Sequence, residues 1–114
     1  PLYSSAASDV YKRQDLIYEY INSLPEAEKI DGYTVLQHME KGEFDKILFK
    51  RWEKKVYEVY FQKNNRVFYI TVDKENIYLL HSCRKQKNKT EKKDANIVRK
   101  RAKELGNMLG RKFI

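Results

Sequence analysis

A dense run of cations begins where an apolar segment ends. The stretch HSCRKQKNKTEKKD, residues 81–94, directly follows the apolar residues IYLL. Its basic residues are Arg84, Lys85, Lys87, Lys89, Lys92 and Lys93. Ammonium and guanidinium groups neutralise phosphates, and arginine can donate two parallel hydrogen bonds to one phosphate. The stretch therefore predicts a surface that binds the backbone of a nucleic acid.

The distribution of charge along the chain supports this prediction. Residues 1–45 contain four Lys or Arg against nine Asp or Glu, whereas residues 84–114 contain twelve against three. A one-sided positive field attracts polyanions, and nucleic acid is the commonest such partner. A solvated basic surface that only keeps the protein soluble explains the same charge equally well. On charge alone, both interpretations stay open.

Two helical segments and four strands precede the cations. Apolar residues recur at helical spacing from Asp15 up to Pro25 and again from about Glu26 to Lys41, where Gly42 is a stop signal. Alternating Val, Ile, Tyr and Phe then predict strands at 46–52, 55–62, 66–72 and 76–82. Short connectors rich in Asn and Asp indicate that the later strands pair antiparallel.

A third helix follows the basic stretch. Thr90 is its predicted N-cap and Gly106 its predicted C-cap. The whole pattern predicts an α+β fold, in which an N-terminal helical hairpin packs on a four-stranded, mainly antiparallel sheet and a basic C-terminal helix follows. At 114 residues the chain is long enough for one core, so residues 15–114 are expected to form a single domain.

The first fourteen residues, PLYSSAASDVYKRQ, differ from the rest of the chain. They show no steady apolar period and resemble translated vector or adapter sequence. Residues 1–14 are therefore interpreted as a non-native leader and set aside from the domain. An edge strand is one candidate for the native segment that they replace.

Cysteine and histidine usage narrows the classes of function. The single cysteine, Cys83, cannot form an internal disulfide, and no apolar run reaches the length of a membrane span or a signal sequence. A reducing cytoplasm, without membrane contact, is therefore the expected location. His38 and His81 have no ligand-like spacing with each other or with Cys83, so neither a metal nor another cofactor is expected.

Several motifs resemble the RelE/ParE superfamily of type II toxin–antitoxin systems, and within it the phage-derived, HigB-like branch. They are DLIYEYINSLPEAEK, VYEVYF, NNRVFYI and IYLLHSCRKQKNKTEKKD, which together span most of the chain. Relatives close the last strand with two apolar residues and His, then an aromatic, then a lysine-rich run ending in Thr and Pro. The matching positions are Leu79, Leu80, His81, Lys85, Lys89 and Thr90, with Arg66 and Tyr69 in the third motif.

Four positions depart from the family pattern. Cys83 stands where an aromatic is usual, Gln86 replaces a lysine, Glu91 replaces a proline and Tyr60 lies where many relatives have an arginine.

The resemblance implies a RelE-like fold and a toxin that cleaves messenger RNA without a metal, on the ribosome, until an antitoxin neutralises it. The implied partners are mRNA, the ribosome and a cognate antitoxin protein, with no small-molecule cofactor.

Cleavage of RNA defines which side chains are candidates. It requires a deprotonated ribose 2′-hydroxyl, stabilisation of the extra negative charge on the phosphorane and protonation of the leaving oxygen. The candidate catalytic residues are Arg66, Arg84 and Lys85. The candidate RNA-binding residues are Lys50, Tyr60, Lys87, Lys89, Lys92 and Lys93. The lysines at 85, 87 and 89 share one face if the preceding strand continues through them.

Structural alternatives accompany these roles. Glu58 is either a general base or the partner of a lysine in a cross-strand ion pair. Arg66 would otherwise pair with a helix carboxylate, and His81 lies near the end of a core strand, where a structural role is favoured.

A non-catalytic function also stays open: a ParE-like gyrase inhibitor, or a degenerate phage module that only binds nucleic acid or protein. A purely structural protein with a basic surface is the third alternative.

Overall fold

The computed structural model describes residues 2–3, 16–74, 76–86 and 89–114. This part of the chain contains the helices α1 (residues 16–22), α2 (Glu26–Glu40) and α3 (Lys92–Leu109). Its strands are β1 (Leu2–Tyr3), β2 (Leu48–Glu53), β3 (Val56–Phe61), β4 (Asn65–Thr71) and β5 (Ile77–Arg84). The predicted α+β class is confirmed. Within the described ranges, no helix is both long enough and apolar enough to cross a membrane.

The sheet has the strand order β1-β5-β4-β3-β2. The predicted antiparallel arrangement of β2 to β5 is confirmed, and the strand ends lie within about two residues of the predicted ones. β1 adds a parallel pair at the edge, with Leu2 opposite Ile77. Because β1 comes from the segment interpreted as a leader, the division of the chain at residue 15 stays a prediction.

The helical hairpin formed by α1 and α2 covers one face of the sheet. Ile17 and Ile21 of α1 join Leu36 and Met39 of α2 in a buried cluster. The strand residues of this cluster are Val59, Phe61, Val67, Tyr69, Ile77 and Leu79. Alternate residues of a strand point to the same face, which explains why the two residues that each strand contributes are two positions apart.

α3 covers the opposite face of the sheet. Val98, Ala102 and Leu105 of α3 pack in a second buried cluster. The strand residues of that cluster are Val56, Phe68, Ile70 and Leu80. Both faces of β4 are therefore buried, which explains why its sequence is apolar at successive positions rather than at alternate ones.

Both predicted caps of α3 are wrong. The Thr90 hydroxyl accepts a hydrogen bond from Trp52 Nε1 (3.1 Å), and Glu91 is the N-cap residue instead. Gly106 lies inside the helix, which ends at Gly110 in the left-handed conformation (φ 67°). Gly106 meets a different requirement, because a Cβ there would lie 2.4 Å from a backbone carbonyl oxygen.

A β-bulge in β5 decides which of its side chains share a face. Phe68 pairs with His81 and Tyr69 pairs with Leu79, so Leu80 is an extra residue between two regular pairs. An extra residue reverses the alternation of all side chains that follow it. The bulge therefore turns the side chains of residues 81, 83 and 85 toward α3 and that of residue 84 toward the hairpin.

Candidate functional site

Glu58 is the centre of a group of charged side chains on the α3 face of the sheet. It lies in the middle of β3 and is 0 % exposed. Moving an ionised carboxylate out of water is unfavourable unless charged or hydrogen-bonding groups meet it. Three cations meet the carboxylate of Glu58, two from the neighbouring strands and one that directly follows β5.

Arg66, Lys85 and Lys50 surround Glu58 Oε1. Arg66 Nε and Lys85 Nζ each donate to this oxygen at 3.2 Å, and Lys50 Nζ lies 3.9 Å away. Strand register brings them together, since Lys50 is opposite Glu58 and Arg66 is opposite Tyr60. Lys85 reaches the same oxygen because the bulge turns it to this face. These four residues and Tyr60 are named the Glu58 cluster.

The three cations of the Glu58 cluster differ in exposure. The side chain of Lys85 is 5 % exposed, that of Arg66 12 % and that of Lys50 54 %. Lys50 therefore presents its positive charge to solvent, Arg66 reaches the surface only in part, and Lys85 lies beneath them. Because one carboxylate faces three cations, the cluster keeps an excess of two positive charges. That excess favours an anionic ligand.

Tyr60 lies beside Lys50 and Arg66. Arg66 Cζ is 4.8 Å and Lys50 Nζ 5.9 Å from the centroid of its ring, distances at which cations attract an aromatic face. A groove of about 600 Å³ adjoins Tyr60 and Arg66. Lys46, Lys63 and Asn64 are among its lining residues. Asp31 also lines the groove and Lys46 pairs with Glu43 (3.0 Å), so the groove mainly adds the charge of Lys63 to that of Arg66.

One oxygen of Glu58 has no partner. Among the buried side-chain atoms of the described residues, Glu58 Oε2 alone makes no hydrogen bond. Burying an unpaired polar atom costs about 1–3 kcal/mol. Such atoms are rare in folded proteins, and a functional role is one recognised explanation for them.

The other predicted RNA-binding lysines have different surroundings. Three of them are exposed at or near the start of α3: Lys89, Lys92 and Lys93. β5 ends at Arg84, so Lys85 and Lys89 do not form the predicted ladder on a continued strand. Lys87 lies outside the described residues.

Arg84 is not brought to the Glu58 cluster. Its Nη2 donates to Glu28 Oε1 of α2 (2.6 Å), on the hairpin face. Asn65 Nδ2 donates to the same oxygen (2.9 Å), and Tyr20 donates to Asn65 Oδ1. Tyr20, Glu28, Asn65 and Arg84 are named the Glu28 network. The expected ion pair between an arginine and a helix carboxylate is therefore made by Arg84, whereas Arg66 pairs with a strand carboxylate.

The Glu28 network shifts the titration of its own members. The hydrogen bond from Asn65 lowers the pKa of Glu28, and Arg84 lowers it further. Burial raises the pKa of Tyr20 to about 12. At neutral pH the network therefore consists of a carboxylate, a guanidinium and two neutral polar groups.

His81 and Cys83 lie on the same face as the Glu58 cluster. His81 Nε2 is 2.8 Å from Asp94 Oδ1, and burial lowers the pKa of His81. Burial also raises the pKa of the Cys83 thiol to about 12. The thiol is therefore protonated at neutral pH and is a poor nucleophile. The His81–Asp94 contact joins β5 to α3, in agreement with the structural role expected for His81.

Glu58 is the residue whose central position the sequence did not reveal. The ion-pair alternative is confirmed, with two cations in addition to the expected lysine. The available signal was a single acid among the apolar residues of VYEVYF, since a buried charge has to be paired. The number of partners depends on register and on the bulge, and neither is encoded locally.

The comparisons with known proteins place the chain among phage-related sequences. Residues 19–103 match the model of a family described as phage derived protein Gp49-like (DUF891). The matched segment includes every residue of the Glu58 cluster and of the Glu28 network. Searches of the curated proteins and of the solved structures gave no match.

Proposed function

Because the chain belongs to the family of phage-derived Gp49-like proteins, we propose that it is the toxin of a type II toxin–antitoxin pair and cleaves messenger RNA. RelE/ParE toxins, and the HigB-like branch among them, are the proposed relatives. The proposed reaction takes place on the ribosome, in the cytoplasm, and uses no metal. The convergence of Lys50, Arg66 and Lys85 on Glu58 is the observation that carries this proposal.

In the proposed mechanism the scissile phosphate lies on the solvent side of Arg66 and Lys50. The ribose 2′-oxygen attacks the phosphorus and the 5′-oxygen leaves, while water accepts the 2′-hydroxyl proton and supplies a proton to the 5′-oxygen. Arg66 and Lys50 contact the phosphate oxygens, and Lys85 adds positive charge from beneath. The extra negative charge of the phosphorane is stabilised by cations that Glu58 holds in place before the substrate binds. Glu58 is a positioning residue, because it lies fully buried below the cations and a phosphate above them does not touch it.

The groove beside Tyr60 favours single-stranded RNA as the substrate. A base can stack on an aromatic ring whatever its identity, and such stacking contributes about 1–3 kcal/mol per base. Lys63 lines the same groove and can meet a flanking phosphate, whereas Lys46 in that groove is paired with Glu43. Bases within a duplex are already stacked on each other, so a duplex gains less from this surface.

A non-catalytic function is the second candidate, and one observation favours it. Glu58 is the acidic member of the cluster, and its burial keeps the carboxylate away from a ribose hydroxyl on the surface. A cluster that supplies these cations without a carboxylate at the surface can bind nucleic acid without cutting it. The second candidate is therefore a degenerate toxin that binds nucleic acid and does not cleave it.

Primer extension on a translated mRNA separates the two functions. Wild-type protein is expected to arrest bacterial growth and to give discrete cuts in the message, with the cutting unaffected by EDTA. Arg66→Ala is expected to remove both effects. RNA binding without cuts supports the non-catalytic candidate. Absence of growth arrest, of cuts and of RNA binding contradicts both candidates.

The proposed antitoxin neutralises the protein by covering the Glu58 cluster. An acidic segment fits this face, because the cluster has excess positive charge and exposed lysines lie at the start of α3. Acetylation of surface lysines in the free and antitoxin-bound protein tests the location. Lys50 and Lys92 are expected to be protected, whereas Lys74, exposed after β4, serves as the unprotected control. Equal labelling of Lys50 in both states contradicts this location.

A further inference from the structure

Three side chains with metal-binding atoms meet between β5 and α3. They are His81 and Cys83, next to each other on one face of β5, and Asp94 in the first turn of α3. One ligand atom from each lies within 4.8 Å of the other two. No other such group of His, Cys, Asp or Glu was found in the part of the chain that the structure describes. The bulge in β5 creates this group, because it turns residues 81 and 83 toward α3.

We propose that His81, Cys83 and Asp94 form a binding site for one zinc ion. The site goes beyond the proposed function and is independent of it, because the three residues can hold zinc whether or not the protein cuts RNA. The imidazole nitrogen, the thiolate and the carboxylate oxygen supply three ligands, and a fourth position is left for water or another group.

The types of ligand favour zinc. Zinc accepts nitrogen, sulfur and oxygen together, whereas calcium and magnesium take oxygen ligands. A thiolate and a carboxylate also cancel the two positive charges of the ion. An imidazole binds a metal through a ring nitrogen, and Nε2 of His81 already faces Asp94 Oδ1 at 2.8 Å.

The distances require only a small adjustment. Bonds of about 2.0–2.3 Å from zinc to its ligands place tetrahedral ligand atoms roughly 3.3–3.7 Å apart. His81 Nε2 and Asp94 Oδ1 are now 2.8 Å apart and would separate slightly. The thiol of Cys83, which is partly buried, would move inward by rotation of its side chain. The thiol proton is released when zinc binds.

The surroundings include cations that oppose a metal ion. Lys93 and Arg101 act on His81, and Lys85 and Arg66 act on Cys83. The last two are already held by Glu58, which reduces their effect. Cys83 lies directly opposite Arg66 in the β4–β5 pair, so bound zinc would fix β5 and α3 next to the Glu58 cluster.

Titration of the metal-free protein with Co²⁺ tests the site, because cobalt replaces zinc and its absorption reports the ligands. We expect a thiolate-to-cobalt charge-transfer band that saturates at one equivalent and disappears when Zn²⁺ is added. Cys83→Ser should abolish the band. Asp94→Asn should weaken cobalt binding by about tenfold or more, since even groups behind the ligands change affinity by that factor.

His38→Gln is the matched control, because His38 is the other histidine and contacts Glu43 instead of the proposed site. It should bind cobalt as the wild type does. Zn²⁺ should also raise the melting temperature of the wild type and leave that of Cys83→Ser unchanged. A folded wild-type protein without the charge-transfer band, or a band that survives Cys83→Ser, overturns the proposal. Since no RNA is present, the outcome does not depend on the toxin proposal.

Discussion

Two buried glutamates on opposite faces of the sheet each hold an arginine, and they do so in different ways. Glu28 accepts hydrogen bonds from Asn65 and Arg84, and the network around it balances one negative charge with one positive charge. Glu58 gathers three cations and leaves one oxygen without a hydrogen-bond partner among the described residues. A balanced network fixes the hairpin on the sheet, whereas an unbalanced one retains positive charge for a ligand.

The largest expected effect is the loss of stability in Glu58→Ala. Removing the carboxylate leaves Lys85 buried without its anion, which costs about 3–5 kcal/mol of unfolding free energy. Glu28→Ala is the matched variant, and its loss should be smaller because the side chain of Arg84 is 38 % exposed and water can replace the carboxylate. Urea unfolding of both variants measures the difference. A larger loss of unfolding free energy in Glu28→Ala than in Glu58→Ala would contradict the claim that Glu58 holds the more deeply buried cation.

The second effect concerns the two arginines in the cleavage reaction. Arg66→Lys and Arg84→Lys remove the same guanidinium and keep the same charge. If Arg66 stabilises the phosphorane, its replacement should slow cleavage by about 10²–10³-fold, as removal of a comparable transition-state donor does. Arg84→Lys should slow cleavage less than about tenfold. Single-turnover rates on a defined RNA supply the comparison, and circular dichroism shows that both variants are folded.

The sequence predicted the elements well because their signals are local. The alternation in KVYEVYFQ and the Asn-rich turn after it depend only on neighbouring residues, and β3 and β4 lie within one residue of the predicted bounds. The predicted N-cap of α3 was wrong, and the Thr90 hydroxyl instead contacts Trp52, a residue 38 positions away. Such a contact leaves no local pattern.

The sequence predicted only part of the candidate site, because the face to which a side chain points depends on pairing between distant segments. Arg66 and Lys85 were identified from their types and positions, and the structure brings both to Glu58. Arg84 was included with them because a guanidinium can donate two hydrogen bonds to one phosphate. Consecutive strand residues point to opposite faces, and the extra residue at Leu80 decides that Lys85 rather than Arg84 points toward α3; nothing in the letters LLHSCRK indicates that bulge.

The unfolding free energy should depend on pH through the titration of Glu28. Its folded pKa lies below the usual 4.5, mainly because of the hydrogen bond from Asn65, so the unfolded chain binds a proton more readily. The resulting stability is complete above pH 4.5 and is lost as the pH falls through the folded pKa. Glu28→Gln should therefore lose less stability than the wild type between pH 7 and pH 3. Identical losses in urea unfolding would contradict the link to Glu28.

The smallest expected effect comes from the exposed lysines at the start of α3. Lys92→Ala and Lys93→Ala each remove one phosphate contact at most. Each should weaken RNA binding similarly for all sequences and reduce the slope of log affinity against log salt by about 0.7. Fluorescence anisotropy at several salt concentrations measures the slope. An unchanged slope in both variants would place the RNA elsewhere on the surface.

The affinity for an uncleavable RNA tests the central claim most directly. A single-stranded RNA with 2′-O-methyl groups is titrated with wild-type protein, Arg66→Gln and Arg84→Gln at one salt concentration. Loss of charge-assisted hydrogen bonds at Arg66 should weaken binding by about ten- to a hundredfold. Arg84→Gln should stay within about threefold of the wild type, since Arg84 binds Glu28 on the other face. Weaker binding in Arg84→Gln than in Arg66→Gln would contradict the claim that the Glu58 cluster is the phosphate-binding site.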